Sequence, residues 1–250
     1  MKKRLDVILV ERGLAPTRQR AQALILSGNV LLNDEPATKA GQPVPEGAAI
    51  RVRGEEHPYV SRGGLKLARA VEAFSVQVKN RVALDVGAST GGFTHVLLMK
   101  GAAKVFAVDV GHNQLAWEIR SDMRVVVREK LNARDMKFEE IGQKVDLIVM
   151  DVSFISIEKI LPNLLQFATP ETDWITLIKP QFEVGREKVG KGGIVHDEAD
   201  RQAVVERITR FGETLGLRRV GLIESPITGT DGNKEFLSHW KLFPPQKSIV

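Results

Sequence analysis

Short apolar runs alternate with amphipathic segments from residue 81 to the end of the chain. Runs rich in Val, Ile and Leu predict five strands, in the segments RVALDVGA, KVFAVDVG, RVVVRE, KVDLIVMDVS and DWITLIK. Apolar positions at helical spacing predict helices over FTHVLLMKG, SIEKILPNLLQFA and DEADRQAVVERITRFGETLG. The last two apolar segments have no helix between them, and we expect an antiparallel edge hairpin from RRVGLIES and EFLSHWKLF. Together these elements predict an α/β fold with a doubly wound, mostly parallel, Rossmann-like sheet of seven strands.

Residues 4–53 carry a different pattern, with shorter elements and more Pro and Gly. RLDVILVERG and TRQRAQALILSG predict two short helices that end at glycines, with Thr17 as the N-cap of the second. The stretch that follows indicates short strands separated by turns. We therefore expect a small α+β domain over residues 1–54, a linker over 55–64 and the large α/β domain over 65–250.

The composition suits a globular protein with a polyanionic partner. Hydrophobic residues make up 43% of the chain, cysteine is absent and the net charge is +5, so neither disulfides nor thiolate metal sites are expected. Residues 1–30 contain two acidic residues, Asp6 and Glu11, and six basic ones. The basic residues are Lys2, Lys3, Arg4, Arg12, Arg18 and Arg20. Such clustering is typical of nucleic-acid binding, although a solvated helix face would have the same charges. Without a signal-peptide pattern, a long apolar run or metal-ligand spacing, we expect a cytoplasmic protein without membrane contact or bound metal.

The turn DVGASTGGFT, residues 85–94, follows the first predicted strand of the large domain. Its glycines allow the backbone to approach a ligand closely. The dinucleotide pattern G-x-G-x-x-G needs a glycine where this chain has Ser89, so a dinucleotide is not indicated. The turn instead resembles motif one of S-adenosylmethionine-dependent methyltransferases. This resemblance implies an S-adenosylmethionine site that includes Asp85, Gly87, Ala88, Ser89, Thr90, Gly91 and Gly92.

Two further residues belong to the cofactor site implied by this resemblance. Asp109 ends the next predicted strand, where a carboxylate can accept hydrogen bonds from both ribose hydroxyls. Asn132 follows the third strand, where the adenine would lie. The alternatives are a solvent-facing aspartate at a strand end for Asp109 and an ordinary turn residue for Asn132.

Lys179 is an unexpected residue, because it ends a strand that is otherwise apolar. Asp151 ends the neighbouring predicted strand, so both side chains should face the crevice beyond the carboxyl ends of the sheet. Lys66 opens the helix before the first strand, and Glu235 opens the last strand. The order Lys–Asp–Lys–Glu resembles the catalytic tetrad of FtsJ/RrmJ-like ribose 2′-O-methyltransferases. The alternative is a cluster of surface ion pairs.

Nearly the whole chain resembles the TlyA family, also named haemolysin A, in the segments YVSRGGLKL, DVGASTGGFT, DVSFIS, LIKPQFE and GKGGIV. The resemblance implies transfer of a methyl group to cytidine 2′-hydroxyls, with ribosomal RNA or ribosomal subunits as partner. Lys179 would be the base or would steer the hydroxyl, and the other three charged residues would arrange it. A lysine accepts a proton at neutral pH only if burial or a second ammonium, here Lys66, favours its neutral form. The alternatives are a catalytically silent RNA-binding protein and a membrane lytic factor.

Basic residues outside the tetrad are candidates for RNA contact. The segment RQRAQALILSGNVLLN resembles the S4 RNA-binding module, which implies phosphate contacts from Arg4, Arg12, Arg18 and Arg20. The Gly-rich segment 183–198 begins just after the tetrad lysine, and we expect its cations to hold RNA phosphates over the site, unless it is simply a solvated loop. The remaining candidates are Arg62, Arg186, Lys188 and Lys191. We expect the three tryptophans to serve packing rather than base stacking: Trp117, Trp174 and Trp240.

Overall fold

A computed structural model describes residues 3–26, 28–45, 47–52, 57–229 and 232–243 of the chain. The chain divides into two units, an N-terminal unit, Met1–His57, and a C-terminal unit, Pro58–Val250. The division falls inside the predicted linker, of which residues 55 and 56 lie outside the described residues.

The N-terminal unit contains two short helices and a three-stranded antiparallel sheet in the order β2-β1-β3. Its elements are α1 Leu5–Glu11, α2 Arg18–Leu26, β1 Val30–Leu32, β2 Glu35–Pro36 and β3 Ile50–Val52. Gly13 and Gly28 adopt φ values of +69° and +71° just beyond the helix ends, which is the left-handed conformation that glycine adopts without strain. Apolar faces of both helices and of β1 meet in one core, which includes Leu5, Leu9, Ala21, Ile25 and Val30.

The C-terminal unit contains a seven-stranded sheet in the order β6-β5-β4-β7-β8-β10-β9. The strands are β4 Val82–Val86, β5 Lys104–Asp109, β6 Val125–Glu129, β7 Leu147–Met150, β8 Asp173–Ile178, β9 Leu217–Glu224 and β10 Phe236–Leu242. The first five are parallel to one another, and β10 is antiparallel to both β8 and β9. The structure therefore confirms the predicted doubly wound α/β sheet with its antiparallel edge hairpin.

Helices cover both faces of this sheet, because its central strands are apolar on both sides and bury two core clusters. They are α3 Gly63–Ala73, α4 Gly92–Met99, α5 Trp117–Arg120, α6 Phe138–Ile141, α7 Leu161–Leu164, α8 Pro180–Glu183 and α9 Glu198–Thr214. In the part of the chain that the structure describes, no helix combines the length and apolarity needed to cross a bilayer.

Two expectations about these elements are wrong. The single helix predicted over SIEKILPNLLQFA is broken into a 3-10 turn, the short helix α7 and a second 3-10 turn. Pro162 lies in the first turn of α7, where its missing N–H and its ring prevent a continuous helix from running through this point. Trp117 is 74% exposed at the start of α5, whereas Trp174 and Trp240 are buried as expected.

Strand direction brings the candidate residues to one edge of the sheet. β4, β5, β7 and β8 are parallel, so their carboxyl ends all lie at the same edge. β10 runs the other way, and its first residue, Phe236, pairs with Ile178, the last residue of β8. This register brings Glu235 next to Lys179, although 56 positions separate the two residues in sequence.

Candidate functional site

The turn between β4 and α4 is shaped by its glycines. Gly87 has φ of +84°, and a Cβ there would lie 2.2 Å from the backbone oxygen of Asp151. Gly91 has φ of +95°, and a Cβ there would lie 2.9 Å from a methyl group of Leu115. Ser89 also adopts a positive φ, +48°, which is uncommon for a residue with a side chain. The backbone between β4 and α4 thus folds tightly over the edge where β7 ends.

Asp109, at the end of β5, faces this turn. Its Oδ2 accepts a hydrogen bond from the N–H of Ser89 at 2.8 Å, and its Oδ1 accepts one from the N–H of Gly111 at 2.7 Å. Each carboxylate oxygen has a second lone pair, so both can still accept a further hydrogen bond. This arrangement fits two vicinal ribose hydroxyls.

Asp85 is a fully buried carboxyl group beneath the turn. Its Oδ2 accepts a hydrogen bond from Thr94 Oγ1 at 2.6 Å, whereas its Oδ1 has no hydrogen-bond partner among the described residues. Burial raises the pKa of Asp85 to about 7, and the charge of Asp151 acts in the same direction. An unpartnered buried carboxyl oxygen of this kind fits the ammonium group of an amino-acid-like ligand.

The other predicted cofactor residues have less distinctive surroundings. Ala88 is buried, and Thr90 is exposed with its backbone oxygen accepting a hydrogen bond from the N–H of Ala116. A Cβ at Gly92 would lie 2.3 Å from Ser61 Oγ, so this glycine allows close packing of α4 against the residues before α3. Asn132 Oδ1 accepts hydrogen bonds from the backbone N–H and Nε of Arg134, which gives this residue a turn-forming role.

The four residues of the predicted tetrad form two ion pairs. Lys179 Nζ lies 2.6 Å from Asp151 Oδ1 and donates a hydrogen bond to Ser153 Oγ at 2.8 Å. Lys66 Nζ lies 2.5 Å from Glu235 Oε2, and both side chains are almost fully buried. β7 and β8 deliver the first pair from their carboxyl ends, whereas α3 and the residue before β10 deliver the second.

Gln181 is a site residue that the sequence reasoning missed. Its Nε2 donates a hydrogen bond to Glu235 Oε1 at 3.2 Å, so both oxygens of the Glu235 carboxylate have a partner, one from Lys66 and one from Gln181. The Oε1 atom of Gln181 is buried without a hydrogen-bond partner in the described structure. A Cβ at Gly229 would lie 2.6 Å from Glu235 Oε1, so the backbone closes tightly over this carboxylate. The signal available in the sequence was the position of Gln181, two residues after Lys179.

Ser153 and Phe154 were also missed, although both lie in the segment DVSFIS. Both are exposed, and Ser153 Oγ contacts Lys179. Phe154 is 89% exposed and adopts φ of +64°, an uncommon backbone conformation for a bulky residue. Its ring centroid lies 4.9 Å from that of Phe182, and Lys179 Nζ lies 5.9 Å from the Phe182 centroid. The exposed ring of Phe154 therefore packs against Phe182, whose own ring lies near Lys179.

A partly buried network of ion pairs and hydrogen bonds supports the loops that carry this site. Glu183 Oε1 accepts a hydrogen bond from the N–H of Ile157, and Glu183 Oε2 pairs with Arg207 at 3.1 Å. Arg207 also pairs with Glu158 at 2.7 Å. Burial raises the pKa of Glu183. The network ties the loop after β7 to α8, which begins immediately after Lys179.

The Gly-rich segment between α8 and α9 carries the predicted loop cations. Arg186 and Lys191 are exposed, whereas Lys188 pairs with Asp200 at 2.6 Å. Asn233 holds the segment in place, since its Oδ1 accepts from the N–H of Val195 at 3.0 Å and its Nδ2 donates to the oxygen of Gly193 at 2.8 Å. The oxygen and the nitrogen of the buried Asn233 amide thus both hold the backbone of this segment.

The remaining predicted RNA contacts are one arginine just before α3 and four arginines of the N-terminal unit. Arg62, just before α3, is exposed and donates to the backbone oxygen of Thr228 at 3.5 Å. In the N-terminal unit, Arg4 and Arg18 both bond to Asp6, and Arg12 donates to the backbone oxygen of Ala48. Arg20 is partly buried in the first turn of α2. No group of acidic or histidine side chains within the described ranges is arranged to hold a metal ion.

Comparison with known proteins places both units in recognised families. Residues 59–242 match the family of FtsJ-like methyltransferases, and residues 3–50 match the S4 domain family. The 16S/23S rRNA (cytidine-2'-O)-methyltransferase TlyA of Mycobacterium tuberculosis is 49% identical over 234 residues, which cover 93% of this chain and 87% of the relative.

Two further relatives carry a different name. Hemolysin A of Brachyspira hyodysenteriae is 42% identical over 238 residues, covering 95% of this chain and 99% of the relative. A solved structure described as a hemolysin from Streptococcus thermophilus superposes with a TM-score of 0.77 at 41% identity, covering 97% of this chain and 89% of that one.

Proposed function

The chain belongs to the FtsJ-like methyltransferase family, with an S4 domain in its N-terminal part, and from this premise we propose that it transfers a methyl group from S-adenosylmethionine to a ribose 2′-hydroxyl of ribosomal RNA. The relative named as a 16S/23S rRNA (cytidine-2'-O)-methyltransferase supports cytidine as the modified nucleoside. An enzyme with this substrate works where ribosomes are, and we propose a cytoplasmic location.

The observation that carries the proposal is the pair of lysine–carboxylate contacts at the edge where the Gly-rich turn lies. The turn residues 87–92, with Asp85, Asp109 and Asn132, would hold S-adenosylmethionine. Asp109 offers two acceptors for the ribose hydroxyls, and Asp85 offers a buried acceptor for the ammonium group. The bound cofactor supplies an electrophilic methyl group on a sulfonium.

Lys179 steers the attacking hydroxyl in this mechanism. An in-line displacement needs one lone pair of the 2′-oxygen aimed at the methyl carbon. Lys179 Nζ lies 2.6 Å from Asp151 Oδ1, and this carboxylate holds it where its N–H groups can donate to the 2′-oxygen. This contact supports steering by Lys179 over its action as a base. The methyl–sulfur bond would break as the oxygen–carbon bond forms, with a neutral thioether as the leaving group, and the hydroxyl proton would pass to Asp151, the carboxylate beside Lys179.

The second pair, Lys66 with Glu235, supports the ribose from the side of β10. The burial of this pair excludes water from one side of the site, and Gln181 is the second hydrogen-bond donor to the Glu235 carboxylate. Cations on the Gly-rich segment, Arg186 and Lys191, would contact phosphates of the RNA strand. The S4 domain would bind structured RNA through shape and phosphate contacts.

The test is transfer of labelled methyl groups to ribosomal RNA. The purified protein is incubated with methyl-labelled S-adenosylmethionine and ribosomal subunits from a strain without this enzyme, and the RNA is digested to nucleosides. We expect the label to comigrate with 2′-O-methylcytidine. Label on a base, or none on either subunit or on naked ribosomal RNA, would contradict the proposal. A protein that binds this RNA without labelling it would be the catalytically silent alternative.

A further inference from the structure

Asp6 is a buried carboxylate in the N-terminal unit to which the sequence pattern assigned no role. It lies in the first turn of α1 and is 0% exposed. Its Oδ1 accepts from Arg4 Nε at 3.0 Å, and its Oδ2 accepts from Arg4 Nη2 at 3.1 Å, Arg18 Nε at 2.9 Å and Gln22 Nε2 at 2.9 Å. The hydrogen bonds from Arg4 are the main reason that the pKa of Asp6 is held well below its usual range. Asp6 therefore stays ionised and fully partnered.

The two arginines that Asp6 binds remain open to solvent. Their side chains are 51% and 55% exposed for Arg4 and Arg18, respectively. Arg4 uses Nε and Nη2 on Asp6, and Arg18 uses Nε, so at least one Nη of each is not engaged by any described residue. A guanidinium fixed through Nε presents its remaining N–H groups in a defined direction.

Gly41 forms part of the surface against which the Arg4 guanidinium packs. A Cβ at Gly41 would lie 3.1–3.2 Å from three atoms of the Arg4 guanidinium, so that group lies flat against the backbone of the segment before β3. The same segment accepts the first N–H groups of α1, from Leu5 to Gln42 and from Asp6 to Ala40. Backbone and carboxylate together hold Arg4 in a single orientation.

We propose that Asp6 is a positioning residue for RNA binding, which fixes Arg4 and Arg18 as a preorganised pair of phosphate donors. An arginine loses rotamer freedom when it is fixed, and here that entropy is lost on folding rather than on RNA binding. The inference rests on the proposed function, because it takes structured RNA as the ligand of the N-terminal unit. In this arrangement an acidic residue, Asp6, favours the binding of a polyanion.

The sign of the effect makes the inference testable. Asp6→Asn removes one negative charge, and electrostatics alone predicts tighter RNA binding. Preorganisation predicts weaker binding, because the amide turns N–H donors towards an arginine that needs an acceptor. Asp34→Asn is the matched control: it removes the same charge from the same unit, but Asp34 is 82% exposed and pairs with Arg51, which is itself exposed.

The experiment measures the affinity of the full-length protein for deproteinised 16S and 23S ribosomal RNA by filter retention at fixed salt. We expect Asp6→Asn to raise Kd about tenfold and Asp34→Asn to leave Kd unchanged or to lower it by up to about twofold. Equal or tighter binding by a folded Asp6→Asn variant would overturn the inference. If the wild-type protein binds neither RNA, the proposed function fails instead, so the two failures are distinguishable.

A double-mutant cycle separates positioning from damage to the fold. In an Arg4→Gln, Arg18→Gln background, Asp6→Asn should change Kd by less than about twofold, because no guanidinium remains to be oriented. A merely structural role would lower affinity by the same factor in both backgrounds and would overturn the inference. If Asp6→Asn alone fails to fold, Arg18→Lys keeps the charge but loses the Nε contact. We then expect at least a threefold higher Kd, and an unchanged Kd would overturn the inference.

Discussion

Asp85 combines burial with an incomplete set of hydrogen bonds, and this gives it a testable effect on stability. Its pKa is raised to about 7 from the usual 3.8 by burial. Between these two values the folded state holds the proton and the unfolded state does not, so stability falls as pH rises through this window. A shift of this size corresponds to roughly 4 kcal/mol of free energy of unfolding, as an upper bound.

We therefore expect Asp85→Asn to flatten the pH dependence of stability. In chemical denaturation without cofactor, the wild-type protein should lose more free energy of unfolding between pH 5 and pH 8 than the variant does. The exposed Asp135→Asn serves as control and should keep the wild-type slope. An Asp85→Asn variant with the same loss between these pH values as wild type would show that Asp85 is ionised throughout.

Gln181 should matter for catalysis through the hydrogen bond that it donates to the Glu235 carboxylate. Gln181→Glu would place a second carboxylate about where Nε2 now donates at 3.2 Å, and two carboxylates this close share a proton. We expect kcat at pH 7 to fall about tenfold and the acid limb of the pH–rate profile to move up by about one unit. Gln77→Glu, at an exposed position, should leave the profile unchanged. A lower kcat with an unmoved acid limb would mean that Gln181 only supports packing.

Asn233 controls a whole element, the Gly-rich segment that carries Arg186 and Lys191. Asn233→Asp would turn a carboxylate oxygen towards the backbone oxygen of Gly193, where Nδ2 now donates. The resulting repulsion should release the segment, so we expect trypsin to cleave after its cations about tenfold faster. KM for RNA should rise more than kcat falls, because cofactor and tetrad residues are not altered.

The control for this element is Asn80→Asp, in an exposed turn before β4 and so at the opposite edge of the sheet. It should show wild-type proteolysis and wild-type KM. If the Asn233→Asp variant resisted trypsin as the wild-type protein does, the two amide hydrogen bonds would not be what fixes the segment.

The strands and the helices α3, α4 and α9 of the C-terminal unit were predictable because their signals are local, whereas the one-turn helices α5, α6 and α8 were not predicted. The five parallel strands are dominated by apolar residues, whereas β9 and β10 mix apolar with polar residues, and the antiparallel hairpin followed from the missing helix between these two. The broken helix around Pro162 and the exposed Trp117 were not predicted. In both cases a single residue departs from the average behaviour of its segment: a proline in the first turn, and an aromatic residue whose helix buries only Ile119.

The partners of the site residues were less predictable, because they depend on register and on loops. Lys–Asp–Lys–Glu could be singled out from the chain order, but the contacts of Gln181 with Glu235 and of Asn233 with Gly193 join residues 54 and 40 positions apart. Asp6 was counted only as a charge opposing the basic cluster, whereas its role follows from three side chains that converge on it after folding.

In the whole molecule, the residues of the proposed catalytic site and a buried cluster of ion pairs lie at opposite edges of the sheet. Asp173 begins β8 at the edge away from the tetrad and is 5% exposed. It pairs with Arg81 at 2.6 Å and with His239 and Lys241 at 2.7 Å. Burial acts to raise its pKa, but hydrogen bonds from His239, Lys241 and Arg81 outweigh burial and hold the pKa below its usual value.

We expect Asp173→Asn to lower the free energy of unfolding by about 2 kcal/mol at pH 7 without changing kcat per folded molecule. A carboxyl group with a depressed pKa stabilises the fold above its unfolded pKa and loses that effect as pH falls, so the difference from wild type should shrink towards pH 3. Denaturation at both pH values and a methyl-transfer assay check this. A lower kcat at unchanged stability would contradict the separation of the two edges.

Methyl transfer by a Lys179→Ala variant tests the central claim most directly. Single-turnover transfer of labelled methyl groups to ribosomal RNA is measured beside calorimetric binding of S-adenosylmethionine, with the exposed Lys159→Ala as control. We predict that Lys179→Ala slows transfer at least 100-fold, that its cofactor affinity stays within about threefold of wild type and that the control keeps the wild-type rate. A Lys179→Ala variant that transfers methyl groups at the wild-type rate would contradict the assignment of this edge of the sheet as the catalytic site.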